Sequence, residues 1–138
     1  MNRSVEVRNA MLRLYDSMTS GDVSAVERLF SRQSGVLAIG TDPNEWWAEY
    51  ETIVRVHKAQ LQEMGAIEIK AGQLNAFAEG TVGWVADRPT LRLPNGQEMT
   101  FRMTTVFHKE DGEWKIVQQH VSIGLSNVDA IGKELTTR

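Results

Sequence analysis

Three polar side chains near the C-terminus are the first candidates for chemistry in this sequence. Gln118, His120 and Ser122 occupy alternate positions of a β-rich run, so a strand would project all three from one face. A histidine titrates near neutral pH and can serve as a general base, while the amide and the hydroxyl can orient a ligand. The alternative is a buried, hydrogen-bonded histidine that only orders its neighbours.

Two further groups could move a proton. His57 stands in the middle of an apolar helical stripe, where a histidine more often belongs to the core or to a pocket wall. Asp42 precedes Pro43 at a predicted helix start, where an aspartate commonly caps the helix. Both residues therefore have a structural alternative to catalysis.

No motif for a metal or a cofactor is present. The sequence contains no Cys, which excludes thiolate catalysis and Cys-based zinc sites. Of the three histidines, His108 and His120 are predicted on opposite sheet faces, so a three-ligand catalytic site is not expected. Gly-rich phosphate loops, nucleophile elbows and Walker-type motifs are absent. We expect no metal and no cofactor.

A predicted β-hairpin would position the first set of polar residues. The runs 101–109 and 114–124 flank an Asp-Gly pair, the strongest short-range signal for a hairpin. With Asp111 and Gly112 as the loop, Met103 faces His120 and Thr105 faces Gln118. One face of the hairpin then carries Phe101, Met103, Thr105, Phe107, Trp114, Ile116, Gln118, His120 and Ser122.

The opposite face of this hairpin is also partly apolar. It carries Val106, Val117, Val121 and Ile123, and a monomer would expose this strip to water. Exposed apolar patches of this kind usually mark an interface. We therefore expect a homodimer that forms through the outer face of the sheet.

The rest of the chain reads as helices followed by strands. Apolar spacing predicts helices over residues 4–20, 23–30 and about 45–64, and Gly21 and Asp22 separate the first two. The third helix has an inward stripe of Trp46, Tyr50, Ile53, His57, Leu61 and Met64. The remainder alternates as an antiparallel meander, which gives an α+β plan for one domain of residues 1–138, with 126–138 as a C-terminal tail.

Composition and charge indicate which classes of partner and which cellular location to expect. The 18 acidic and 15 basic residues are scattered and give a net charge of −3, which argues against nucleic acid. The N-terminus has no apolar signal-like region, and no apolar run approaches membrane-spanning length. We expect a cytoplasmic protein with no membrane partner.

Three stretches together resemble the SnoaL-like branch of the nuclear transport factor 2 (NTF2) superfamily, which also contains ketosteroid isomerase. They are the two helices joined by Gly21-Asp22, the run Ile39-Gly-Thr-Asp-Pro-Asn-Glu-Trp-Trp47, and the pattern Asp-Gly-x-Trp-x-Ile-Val-x-x-His-x-Ser from Asp111 to Ser122. The resemblance implies a cystatin-like (NTF2-like) cone, in which a curved antiparallel sheet wraps around the N-terminal helices. It also implies a pocket inside the cone and homodimers formed by the outer sheet face.

The resemblance to ketosteroid isomerase does not extend to its catalytic groups. The place of that enzyme's helix-1 tyrosine falls on Leu14, one residue from Tyr15, and the place of its acid falls near Thr105 and Val106. The oxyanion hole is therefore missing, and such donors usually supply much of the rate enhancement. Steroid isomerisation is not expected.

The leading hypothesis is a domain that binds a small, mostly apolar organic molecule in the cone. A cofactor-free cyclase, isomerase or dehydratase, with His120 or Asp42 moving a proton, is the second hypothesis. A dimerisation or sensor domain with a closed cone is the third. Only one of the adjacent Trp46 and Trp47 can face inward, and the predicted ligand contacts are Tyr15, Trp46, His57, Trp84, Met103, Thr105, Phe107 and Gln118.

Overall fold

Two N-terminal helices form over the segments that the sequence predicts. The computed structural model describes residues 1–138 and places α1 at Val5–Ser20 and α2 at Val23–Leu29. Ser4 accepts a hydrogen bond from the first turn of α1, and Gly21 ends that helix with a left-handed φ of 71°. The Asp22 side chain then caps α2. These local capping signals explain why both boundaries could be predicted.

The third helix begins later than predicted. Residues 46 and 47 form a short strand, and α3 spans Tyr50–Met64. Asp42 accepts a hydrogen bond from the backbone N–H of Asn44, which tightens a turn and returns the chain beside the preceding strand. The predicted helix start at Glu45 is therefore wrong, because pairing with a neighbouring strand takes precedence over helical spacing.

The strands form one large and one small sheet. Their bounds are β1 Asn2–Arg3, β2 Leu37–Ile39, β3 Trp46–Trp47, β4 Glu68–Lys70, β5 Asn75–Glu79, β6 Val82–Asp87, β7 Thr90–Arg92, β8 Glu98–Thr100, β9 Arg102–Glu110 and β10 Glu113–Ser122. The large sheet has the order β1-β5-β6-β9-β10-β2-β3, and β4-β7-β8 form the small one. All pairs are antiparallel except β10 with β2.

The main core lies between the helices and the inner face of the large sheet. Val7, Met11 and Leu14 of α1 are buried in one cluster with Phe107 and Ile116 of the hairpin. The helices thus cover one face of the sheet, as expected for an α+β fold. None of the helices combines the length and the apolar character that spanning a membrane requires.

The β9–β10 hairpin contains a bulge that the predicted register does not include. Pairing follows the predicted register from the Asp111-Gly112 turn to Ile116 opposite Phe107, but Gln118 then faces Val106. One extra residue therefore sits on β10, and every later side chain of that strand projects to the opposite face. Beyond the bulge, the predicted pairs of Met103 with His120 and Thr105 with Gln118 are wrong.

The C-terminal tail contains one short helix. Ser126 caps α4, which spans Asn127–Ile131 and ends at Gly132. Val128 and Ile131 on this helix are exposed. The sequence of this segment is polar and has no clear periodicity, so the helix could not be predicted from apolar spacing.

Candidate functional site

An apolar cavity lies inside the cone, between α1, α3 and the inner faces of the sheets. Its volume is about 400 Å³, and 13 of its 21 lining residues are apolar. A concave, mostly apolar chamber with a few polar groups is the usual form of a small-molecule site. The apolar side chains that line it include Leu14, Met18, Trp47, Ile67, Ile69, Leu91, Phe101, Met103 and Val121.

His57 supplies a hydrogen-bond acceptor to the lining of this apolar cavity. Its Nδ1 lies 2.7 Å from the carbonyl oxygen of Ile53, one helical turn earlier. Because a carbonyl oxygen only accepts hydrogen bonds, Nδ1 carries the proton and Nε2 of the neutral ring keeps its lone pair. The ring packs against Phe30 and Trp47, at centroid distances of 5.5 and 5.9 Å. These contacts fix the orientation of the imidazole.

Burial keeps this imidazole in its neutral form. Loss of hydration lowers the pKa of His57, an effect that the Ile53 carbonyl and the Glu45 carboxylate oppose but do not cancel. A neutral histidine with a free Nε2 can accept a hydrogen bond or take up a proton. His57 can therefore accept a hydrogen bond from a molecule in the cavity.

Glu45 and Gln60 form a second polar group in the cavity lining. One carboxylate oxygen of Glu45 accepts a hydrogen bond from the Gln60 side chain at 2.7 Å, and the other accepts one from the backbone N–H of Asp42 at 2.8 Å. Gln60 therefore connects α3 to the turn before β3. These bonds hold the carboxylate in place at the cavity wall.

Gln119 enters the cavity lining because of the β10 bulge. It is only 5% exposed, and its side-chain nitrogen lies 3.8 Å from the sulfur of Met103. A thioether is a weak acceptor, so the amide retains hydrogen-bonding capacity for a ligand. Gln119 and His57 are both positioned to orient a bound molecule.

A buried tyrosine–aspartate pair ties α1 to the end of β6. The Tyr15 hydroxyl donates to Asp87 at 2.8 Å, and the other Asp87 oxygen accepts from the backbone N–H groups of Gly72 and Arg88. Burial, with the neighbouring carboxylate, raises the pKa of Tyr15 far above its usual value. The tyrosine lines the cavity, but its proton is already committed to Asp87. It is therefore a poor candidate for an oxyanion donor.

A known family covers most of this chain. The SnoaL-like domain family matches residues 7–126. The chain belongs to that family. No match is found among curated protein sequences.

Solved structures show the same fold for this SnoaL-like protein. An NTF2-like protein of unknown function from Pseudomonas putida KT2440 has a TM-score of 0.81 at 14% identity, with 99% of both chains covered. A candidate dehydratase of the NTF2-like family from Streptomyces avermitilis has a TM-score of 0.78 at 17% sequence identity, with 88% of this chain and 95% of that chain covered. An uncharacterised protein with a cystatin-like fold from Caulobacter vibrioides has a TM-score of 0.74 at 13% sequence identity, with 89% of this chain and 90% of that chain covered. The predicted NTF2-like, cystatin-like α+β fold is confirmed.

Three of the predicted ligand contacts line the apolar cavity of this SnoaL-like protein. They are Tyr15, His57 and Met103. Thr105 and Phe107 project to the same inner face but are fully buried in the core and do not line the cavity. The Thr105 hydroxyl oxygen has no hydrogen-bond partner, which is unusual for a buried polar atom.

The other predicted site residues lie outside the cavity. The β10 bulge places Gln118 and His120 on the outer face of the sheet, where both are exposed. Trp84 also projects outward, because its neighbours Gly83 and Val85 are the buried residues of β6. The predicted place of these three side chains in the cavity is wrong.

Trp46 and Asp42 are also outside the cavity. Trp46 is 64% exposed, since it projects from the outer side of β3 while Trp47 faces the cavity. Asp42 is exposed in a turn, and α3 begins eight positions later, so it caps neither that helix nor any other. The helical spacing that placed Trp46 inward does not apply, because this segment is a strand.

Sequence reasoning missed three polar residues of the cavity lining, Gln119, Glu45 and Gln60. Three consecutive polar residues, Gln118 to His120, interrupt the alternation of β10, and this was the available signal for a bulge. Asp87 precedes Arg88 and Pro89 and reads as a solvated edge, because its partner Tyr15 is 72 residues away. No three His, Asp or Glu side chains lie close enough together to hold a metal ion.

A pH titration of stability tests the burial of His57. Because the pKa of His57 is lowered in the folded protein, the unfolded chain takes up a proton first, near its ordinary pKa of about 6.5. The free energy of unfolding should therefore fall as the pH drops below about 6.5. His57→Asn retains a donor for the Ile53 carbonyl and should reduce this dependence between about pH 6.5 and 5 in urea unfolding. Identical pH profiles for the two proteins would contradict the assignment.

Proposed function

We propose that this SnoaL-like protein binds a small, mostly apolar organic molecule in the apolar cavity. The observation that carries the proposal is the 400 Å³ chamber itself, in which polar groups are few and fixed by the protein. Trp47, Leu91 and Met103 provide apolar contact, while His57 and Gln119 orient one polar atom of the ligand. Burial of the ligand's apolar surface favours binding, and its polar atom forms hydrogen bonds with the polar groups that line the wall.

A cavity-filling variant tests the proposal. Leu91→Trp places a bulky side chain into the cavity, whereas Leu93→Trp alters a partly buried leucine that does not line it. We expect Leu91→Trp to weaken binding of the neutral fluorescent probe N-phenyl-1-naphthylamine by at least about tenfold, a change of about 1.4 kcal/mol. Leu93→Trp should bind the probe as the wild type does. Equal binding by the two variants, or no saturable binding to the wild type, would refute the proposal.

A cofactor-free cyclase, isomerase or dehydratase is the second candidate. His57 favours it, because this residue lines the apolar cavity with a neutral imidazole whose Nδ1–H is bonded to the Ile53 carbonyl, which leaves Nε2 unprotonated. The likeness to the Streptomyces avermitilis candidate dehydratase is in keeping with this chemistry. The test is deuterium exchange at the α-carbon of cyclohexanone in D₂O, followed by NMR. Exchange no faster with the wild type than with His57→Asn would exclude His57 as a base.

We also propose that the protein forms a homodimer through the outer face of the large sheet. Phe77, Trp84, Val106 and Val117 form a partly buried apolar strip there, which we call the outer strip. Phe77 and Trp84 stack at 6.2 Å, so the strip is continuous across β5 and β6. Val121, which the sequence placed on this face, lines the cavity instead.

A cytoplasmic location remains a prediction from the sequence.

A further inference from the structure

A second cavity lies on the outer face of the large sheet, beside the outer strip. Its volume is about 410 Å³, and we call it the outer cleft. The strand register aligns Asn75, Ala86, Thr104 and His120 in one row across β5, β6, β9 and β10. Because Ala86 carries only a methyl group between longer neighbours, the row has a depression at its centre.

Two arginines without acidic partners line the outer cleft. Arg88 and Arg102 are both exposed, and neither guanidinium group forms an ion pair with a carboxylate. The Nε of Arg102 donates to the Ser122 hydroxyl at 3.3 Å, which positions that guanidinium while both of its Nη groups stay free. The Arg88 guanidinium makes no hydrogen bond within the protein. Two cationic forks therefore face one depression in a chain whose net charge is −3.

The acidic residue in this lining, Asp87, forms no ion pair with either arginine. Asp87 is only 5% exposed, and its oxygens accept hydrogen bonds from the Tyr15 hydroxyl and from the backbone N–H groups of Gly72 and Arg88. Its oxygens are therefore occupied by these three donors and not by a guanidinium group. The other polar side chains of the outer cleft are neutral or basic: Gln73, Asn75, Thr104, His120 and Ser122.

We propose that the outer cleft binds the oxyanion group of a small molecule, either a carboxylate or a phosphate. Arginine forks match the oxygens of both groups and can donate two parallel hydrogen bonds to each. The Thr104 hydroxyl and the His120 imidazole lie in the same row and add further donors. His120, which the sequence suggested as a catalytic base, thus becomes a ligand-binding residue at a different site.

The outer cleft is separate from the apolar cavity. Of the residues that line the two spaces, only Met103 is common to both. Arg88 and Arg102 are absent from the apolar cavity, and His57 is absent from the outer cleft. The anion proposal can therefore fail while the apolar-ligand proposal stands, and the reverse also holds.

An NMR titration of the full-length protein tests the inference. Sodium phosphate and sodium acetate are added separately, with sodium chloride adjusted to keep the ionic strength constant. We expect saturable shifts in the Arg102 Nε–H signal and in the backbone amides of Thr104 and His120. The variant Arg88→Gln/Arg102→Gln should weaken the apparent affinity at least about tenfold, since it removes both charge-assisted donors.

A second double variant controls for net charge. Arg28→Gln/Arg92→Gln removes the same charge from two arginines that do have acidic partners, Asp22 and Glu98, outside the outer cleft. It should titrate as the wild type does. Saturation with phosphate alone assigns a phosphate-bearing ligand, saturation with acetate alone a carboxylate, and saturation with both the shared oxyanion chemistry. No saturation with either anion, or equal affinities in the two double variants, would overturn the proposal.

Discussion

Replacing Asp87 with alanine should lower the free energy of unfolding by about 3 kcal/mol. The substitution leaves the Tyr15 hydroxyl and the Gly72 N–H, both now bonded to the carboxylate, without that acceptor. A buried donor that loses its partner costs about 1–3 kcal/mol, and the Tyr15 hydroxyl is such a donor, while the Gly72 N–H belongs to an exposed residue and adds a smaller loss. Urea unfolding measures the change. Asp16→Ala is the control, because Asp16 is exposed on α1 and should alter stability by no more than about 0.5 kcal/mol.

A double-mutant cycle separates the tyrosine–aspartate bond from the other contacts of Asp87. Tyr15→Phe removes the hydroxyl alone, and combining it with Asp87→Ala should cost less than the sum of the two single losses. We expect a coupling free energy of about 1–2 kcal/mol for residues in direct contact. Additive effects, or a loss for Asp87→Ala no larger than that for Asp16→Ala, would show that the pair does not hold α1 against the sheet.

A charge in the outer strip should break the proposed homodimer. Val106 lies on β9 between Trp84 of β6 and Gln118 of β10, near the middle of the outer face. An arginine there would be buried without a partner at an interface related by a two-fold axis, where each substitution is present twice. We expect Val106→Arg to raise the dimer dissociation constant at least about a hundredfold, as measured by analytical ultracentrifugation.

The same charge placed elsewhere provides the control for the dimer. Val128→Arg introduces an arginine on α4 in the tail, where the valine is already exposed. This variant should remain a dimer, and Val117→Arg, a second position in the outer strip, should behave like Val106→Arg. A wild-type protein that sediments as a monomer at micromolar concentration would contradict the proposal, as would a dimer that tolerates both charges in the strip.

Local signals allowed much of the helical part and the hairpin turn to be predicted. Ser4, Gly21 and Asp22 act through bonds to residues within a few positions of themselves, so their effect can be read from the sequence. The hairpin turn is equally local, because Asp111 and Gly112 adopt the positive φ values, 51° and 80°, that a tight turn requires. The register could therefore be predicted from the turn as far as Ile116.

The site was harder to predict because it depends on contacts between distant residues. One bulged residue reverses the side-chain directions of the rest of β10, which moves His120 out of the cavity and Gln119 into it. The sequence also did not show that Trp47 and not Trp46 faces the cavity, because pairing of Trp47 with Ala38 overrides the helical spacing of residues 46–64. Hydrophobic spacing does not show which strand a segment will pair with, and the polar run from Gln118 to His120 was the one local signal of the bulge.

The most direct test of ligand binding in the apolar cavity is a crystal structure of the protein soaked with N-phenyl-1-naphthylamine. We expect density for the probe inside the cone, in contact with Trp47 and Leu91 and within hydrogen-bonding distance of His57 or Gln119 through its N–H group. Binding should displace no strand, because the chamber of about 400 Å³ already exists. A cone filled by its own side chains, with probe density only on the outer surface or nowhere, would contradict the claim.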